Sequence, residues 1–499
     1  VSYAPSDTLA FRAWLREKYG TLEALNDAWG TKFWSQTYDA WEQVDLPHPT
    51  ATYLNPSQLL DESRFISDTV VRFAARQAAI LREANPRWEI THNALFSNVN
   101  GPDLVRQLDF FSHDHYPLFH NGDWVAAAVG LIQARSLSSP FCIMEHQSGP
   151  GGQMEYLHRT LEPGELKRLA FQSVAHGTRA LLYFNWRTCP FGSEQHWYGL
   201  QDQDGRPTRR LREAEELGRE IRSAAHVFEG QVPVKVAAVV KDFDSDNNDY
   251  RVDKYLQPRG QGGQFAAWLT RRHIPVDQVW SNGSNDWSDY RLLIVPNIQM
   301  VTPPLLARLE KYVAGGGTLV ITARSGIKDG NGHMLTRPYP GSLAELAGVR
   351  VAEWTTLTQP VGIDLDGMAA KFTGYAETLE AVDSKVLARH DGSYSLLATA
   401  PAVTVREAGK ARVIYVGGLI EERSTGVLLD AVLRIAGVEP TLAVPEDVEL
   451  VEYEKHLVMI NHTRSDQAIQ VGTRRSVLGP AVVSGVLTLP GNGYAVVER

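Results

Sequence analysis

Four places in the first half of the chain carry side chains suited to bond-breaking chemistry, and each follows a short apolar run. Glu145 follows Phe141-Cys142-Ile143-Met144 and leads into His146 and Gln147. Asp114, His115 and Tyr116 close the run that begins at Leu108, Asn93 closes the one that begins at Trp88, and Asn185, Trp186 and Arg187 close the one that begins at Ala180. Glu194, Gln195, His196 and Trp197 lie in the loop that follows. Carboxylates, amides and indoles converging on one cavity suit glycoside hydrolysis. That reaction needs one carboxyl group as nucleophile or base, a second as acid, and partners for the sugar hydroxyls. One Glu after a strand is more often a surface or ion-paired residue; the succession of clusters is what points to chemistry.

The elements that would position them read as strands 88–92, 108–111, 141–144 and 180–184, each apolar on both faces and polar at its C-terminal end. Helices lie between them, best seen at 163–176, where Pro163 sits near the first turn and Gly177 just past the last. Buried parallel strands alternating with helices have this pattern, and in a (β/α)₈ barrel the strand ends form the active-site rim. A helix is expected from Ser6-Asp7 to Tyr19, ended by Gly20, and a longer one from about Asp61 to Glu83, stopped by Asn85-Pro86. Four strand–helix units precede residue 228 and a barrel has eight. The expectation is therefore the C-terminal half of a barrel over 1–228, with the first half upstream of Val1. From about Pro233 a second alternation predicts an open α/β domain with a parallel sheet over 229–440. Short strands over 441–499 predict a small antiparallel β domain.

The 499 residues are 43% hydrophobic and 21% charged, which excludes a disordered chain. Lysine and arginine number 49 against 58 acidic residues, a net charge of −9 without long like-charge runs. Nothing there favours nucleic acid or an anionic membrane as partner. No apolar run approaches the roughly 20 residues of a membrane-spanning helix. The two cysteines, Cys142 and Cys189, form neither a disulfide framework nor a zinc site, and they point to the cytoplasm. Gly315-Gly316-Gly317 follows a helix and precedes a strand, the reverse of a phosphate loop, and reads as a tight turn.

Several separated blocks resemble the glycoside hydrolase family 42 β-galactosidases. They are Phe11-Arg12-Ala13-Trp14-Leu15, Lys18-Tyr19-Gly20-Thr21-Leu22, Leu25-Asn26-Asp27-Ala28-Trp29-Gly30, Trp34-Ser35-Gln36, Asp114-His115-Tyr116-Pro117, Met144-Glu145, Ala175-His176-Gly177 and Phe184-Asn185-Trp186-Arg187. The resemblance implies a barrel, an α/β trimerisation domain and a C-terminal β domain, assembled as a homotrimer. It implies a retaining exo-β-galactosidase with Glu145 as nucleophile, and an acid/base Glu from an Asn-Glu pair preceding Val1, so that these 499 residues alone are expected to be essentially inactive. Tyr116 is expected beside the nucleophile. Glu194, with His196 or Trp197, is expected to hold the sugar hydroxyls, and Trp186 to be a stacking surface or a rim tryptophan supporting Arg187. Asp114 and Asn93 are expected to orient the others. The stretch from Val1 to Ser6 lacks the cysteines with which many members bind zinc, so neither metal nor cofactor is expected. Gln153 stands where the family often has a Trp, and Trp197 where it often has a His. These departures leave α-L-arabinopyranosides as alternative substrates, or a non-catalytic carbohydrate-binding homologue as the alternative class.

Overall fold

The computed structural model describes residues 3–93, 95–254, 261–365 and 367–499. The first helix, Pro5–Tyr19, starts just before the expected Ser6-Asp7 because Pro5 occupies its first turn, where the fixed φ suits a helix. Its Phe11, Trp14 and Leu15 pack with Leu25 and Trp29 of Leu22–Trp29. Both helices are tied to the long helix Pro56–Ala84 through buried Asp61, which accepts from Tyr19 (2.6 Å), Trp29 (2.9 Å) and Arg64 (3.0 Å). That helix begins five residues earlier than expected because the Asn55 side chain caps the backbone N–H groups of Ser57 and Gln58.

Strands β1 (Ser112–His115), β2 (Phe141–Gln147) and β3 (Thr178–Phe184) form a parallel sheet in chain order. The helices Trp124–Leu137 and Glu165–Ala175 connect them, and Arg209–Ser223 follows. The expected strand at 88–92 is not a full ladder; Asn93 makes a single parallel bridge to Ser112. β1 starts after Phe111 because Asp109 occupies the preceding stretch: its N–H donates to Ile90 O and its carboxylate accepts from Ile90 N–H. The expectation that every strand is apolar and buried fails for β3, where Leu182 is 49% exposed. β3 pairs on one side only, with β2.

The second sheet is mixed rather than purely parallel. Its strands are β4 (Ala237–Lys241), β5 (Val276–Trp280), β6 (Leu292–Val295), β7 (Thr318–Thr322), β8 (Lys385–Arg389), β9 (Pro401–Ala408) and β10 (Ala411–Val416), in the order β8-β9-β10-β7-β6-β4-β5. β4, β5, β6, β7 and β10 run parallel; β9 pairs antiparallel with β10 across the turn at Gly409, and β8 pairs antiparallel with β9. Period-two alternation divides the core. Val239, Ile294, Val320 and Ile414 pack on one face, and Val240, Leu293, Ile321 and Tyr415 on the other. Gly315–Gly317 is indeed the turn between the helix Pro303–Ala314 and β7, with Gly316 at φ +93°.

An antiparallel sheet from Val349–Thr356, Val361–Leu365 and Met368–Ala381 has no counterpart in the sequence reading. The C-terminal strands form two antiparallel sheets. One sheet buries Val458, Ile460 and Val496 against Ala170, Phe171 and Ala175 of Glu165–Ala175, and its other face packs on Ile469 and Leu487.

Candidate active site

Parallel pairing sets the chemistry side by side. Asp114 on β1 is the register partner of Glu145 on β2, and a β-bulge precedes the pair. Tyr116, one residue beyond β1, donates its hydroxyl to Glu145 Oε2 at 2.6 Å. Burial and then this bond to a carboxylate push the Tyr116 phenol far above its ordinary value, so it stays a donor. Asn93 donates its amide to Asp114. Burial raises the Asp114 carboxyl, Asn93 draws it down, and the neighbouring Glu145 raises it again.

Beneath this rim lie three histidines without room for charge. Burial lowers His113 and His146 to about 4, and His115 well below its usual value. His115 packs 5.7 Å from His113 and 5.6 Å from His146. Two side chains that the sequence reading did not single out join the loops. Gln147 accepts from Leu118 N–H and donates to Gly149 O, and Ser148 donates to Phe184 O at 2.6 Å. The loop after β3 is drawn in closely: a Cβ on Gly199 would sit 2.3 Å from Asn185 Oδ1, and one on Gly149 would sit 2.6 Å from Tyr198 O.

Trp197 is buried and stands edge-on to Tyr116, 5.1 Å between ring centroids. Phe119, Tyr156 and His158 extend it into an aromatic wall, with Phe119 stacked 6.0 Å from Trp197 and 4.6 Å from His158. Sequence reasoning missed these three. Their signal was the Gly149-Pro150-Gly151-Gly152 turn, which opens the small hairpin carrying Tyr156.

Of the expected site residues, Glu145, Tyr116, Asp114, Asn93 and Trp197 come together. Glu194 is exposed, yet its charge reaches the Tyr116 hydroxyl. His196 and Trp186 are exposed and, among the described residues, make no side-chain hydrogen bond or ring contact. Trp186 is thus not the buried support of Arg187, whose guanidinium instead donates to Gln203 O. Cys142 is buried as expected of a small thiol, but Cys189 is partly exposed; both are free. Among the described residues no cluster of three or more His, Cys, Asp or Glu is placed to hold a metal ion.

The chain matches known proteins along most of its length. Residues 1–224 match the family described as Beta-galactosidase, and residues 247–439 match its Beta-galactosidase trimerisation domain. The Beta-galactosidase Bga of Halorubrum lacusprofundi is 31% identical over 88% of this chain and 67% of its own length. The Beta-galactosidase BgaA of Clostridium cellulovorans is 30% identical over 91% of this chain and 71% of its own. The crystal structure of the β-galactosidase from Bacillus circulans sp. alkalophilus superposes with a TM-score of 0.92 at 26% identity, covering 100% of this chain and 77% of that one. With the expected barrel strands, α/β unit and C-terminal β sheets in the same order, the chain belongs to the glycoside hydrolase family 42 β-galactosidases.

Proposed function

We propose that this protein is a retaining exo-hydrolase of terminal β-D-galactosides, with Glu145 as the nucleophile that attacks the anomeric carbon. The observation that carries this reading is the hydrogen bond from Tyr116 to Glu145 Oε2 at 2.6 Å, which holds one carboxylate oxygen and leaves the other to react. Glu145 is partly exposed at the rim, so a ring can reach it. The glycosyl-enzyme would then be resolved by water, activated by a second carboxyl group about 5–5.5 Å away. Asp114 is engaged by Asn93 and reads as an orienting neighbour, not as that second carboxyl group. Trp197 and Glu194 flank Tyr116 and suit the ring face and hydroxyls of the bound sugar, with His196 and Trp186 further out on the rim.

The test is the Glu145→Gln variant of the full-length protein on nitrophenyl β-D-galactoside. We expect turnover to fall by at least about a thousandfold with the melting temperature unchanged. Undiminished turnover removes Glu145 from this role. Nitrophenyl α-L-arabinopyranoside, assayed in parallel, separates the sugar preferences, because that ring lacks the hydroxymethyl group. The trimerisation-domain match supports a homotrimer, and light scattering of the purified protein tests it. Among the described residues no helix is long and apolar enough to cross a membrane. The two free cysteines fit a reducing compartment, so the cytoplasm is the proposed location, to be checked by cell fractionation.

A further inference from the structure

A second cleft, of about 710 Å³, opens where the helix Pro56–Ala84 meets the mixed sheet, and none of Glu145, Tyr116, Asp114 or Trp197 lines it. It lies over the C-terminal ends of β4 and β6, lined by Lys241 from the first and by Asn297 just beyond the second. The chain passes from β4 to β5 on one side and then crosses to β6 on the other. Open α/β sheets bind their ligands at such a reversal of strand order, and the volume falls within the roughly 300–1,000 Å³ of small-molecule sites.

The lining has a chemical deficit. Among the described residues, four side-chain oxygens on it have no hydrogen-bond partner: Glu62 Oε1, Gln261 Oε1, Gln278 Oε1 and Asn297 Oδ1. These residues are only 1%, 8%, 2% and 3% exposed. Turning the amide over does not remove the deficit at Gln261, whose Nε2 already donates to Ile420 O and Gln264 Oε1, so its oxygen is fixed as an acceptor. Buried acceptors left unmet are costly, and native proteins rarely keep several together.

A ligand that answers them must bring donors. The lining sets Lys241 and Arg251 against Glu62, Asp246 and Asp249, so its charges nearly balance and favour a neutral ligand, and Arg251 already pairs with the other oxygen of Glu62. Hydroxyl groups donate to the four oxygens and accept from Lys241. We propose that this cleft binds a neutral polyhydroxylated ligand of the monosaccharide class, at a site separate from the Glu145 rim.

The probe is galactose, titrated calorimetrically into the chain and three variants. Gly263 lies on the cleft wall, and a Cβ there meets nothing within 4 Å, so Gly263→Leu projects its side chain from an open position. Gln278→Leu removes one unmet acceptor at nearly constant volume. Glu145→Gln reports on the rim alone, so failure of the proposed nucleophile and failure of this site are distinguishable. We expect saturable binding that survives Glu145→Gln and weakens at least tenfold in both Gly263→Leu and Gln278→Leu, with the melting temperature of Gln278→Leu equal to wild type or higher. Should Gly263→Leu not fold, Gln278→Leu decides. The proposal is overturned by absence of saturable binding, by binding that neither cleft variant weakens, by binding lost only in Glu145→Gln, or by putrescine binding in place of galactose.

Discussion

At the residue scale the decisive contact is one oxygen–oxygen distance. Tyr116 donates to Glu145 Oε2 at 2.6 Å, a bond to the charged form of the carboxyl. Hydrogen bonds to charged groups contribute about 1.5–3 kcal/mol, so Tyr116→Phe should lower kcat/KM roughly ten- to a hundredfold. A wild-type kcat/KM in this variant would mean that the bond does not hold the nucleophile. A second prediction concerns Gly199, whose Cβ would lie 2.3 Å from Asn185 Oδ1. Gly199→Ala should displace the loop that carries Glu194 and Trp197, raising KM more than it lowers kcat; unchanged KM would sink that account. Glu145, Tyr116 and Asp114 were legible because strand ends concentrate polar residues after apolar runs. Phe119, Tyr156 and His158 were not, since only folding of the hairpin brings them to Trp197.

Between elements, the C-terminal β sheets are clasped to the barrel strands' helices by one buried acid. Glu449 accepts from Gln172 (2.8 Å), His176 (2.7 Å) and His462 (2.9 Å). Arginines can only donate, and Arg135 and Arg168 meet the Nδ1 atoms of His176 and His462, so each histidine presents Nε2–H to Glu449. Burial works to raise Glu449, but these donors hold it down to about 2. Glu449→Gln places an amide N–H against a fixed N–H donor, and should cost about 2–3 kcal/mol, read as a lowered denaturant midpoint. A midpoint equal to wild type would show that the histidines re-pair. None of this was legible in sequence, because Glu449 lies 273 residues from His176. Local elements were more readable: the helices Pro5–Tyr19 and Glu165–Ala175 stand within two residues of where their start and stop signals put them. The antiparallel strands at 349–381 escaped notice because several alternate positions are exposed, which leaves weak apolar runs.

For the whole molecule, the pH dependence of stability is set by two buried populations that oppose each other. His113, His146 and His462 are lowered by burial to about 4 from 6.5. The unfolded chain therefore binds their protons first, and their stabilisation, complete above pH 6.5, is lost as pH falls towards 4. Burial instead raises Asp249 to about 8 and Glu377 to about 7, and with the neighbouring Asp244 it raises Asp242 to about 6. There the native state holds the proton, so stability is present below the unfolded values and is lost as pH rises towards the folded ones. Between about pH 4.5 and 6.5 the two slopes nearly cancel and stability should be flat. Above 6.5 the histidines are neutral in both states and only the acids act. Asp249 and Glu377 together then remove on the order of 3 kcal/mol by pH 9. Below 4.5, Glu449 adds its own loss as pH falls towards 2. Thermal melts from pH 4 to 9 should accordingly show a plateau and then an alkaline decline. Asp249→Asn mimics the neutral acid between its donors Asn297 and Gln299, so most of that decline should vanish in this variant. An alkaline slope identical to wild type would mean that Asp249 is ionised in the native state throughout, and that the decline has another origin.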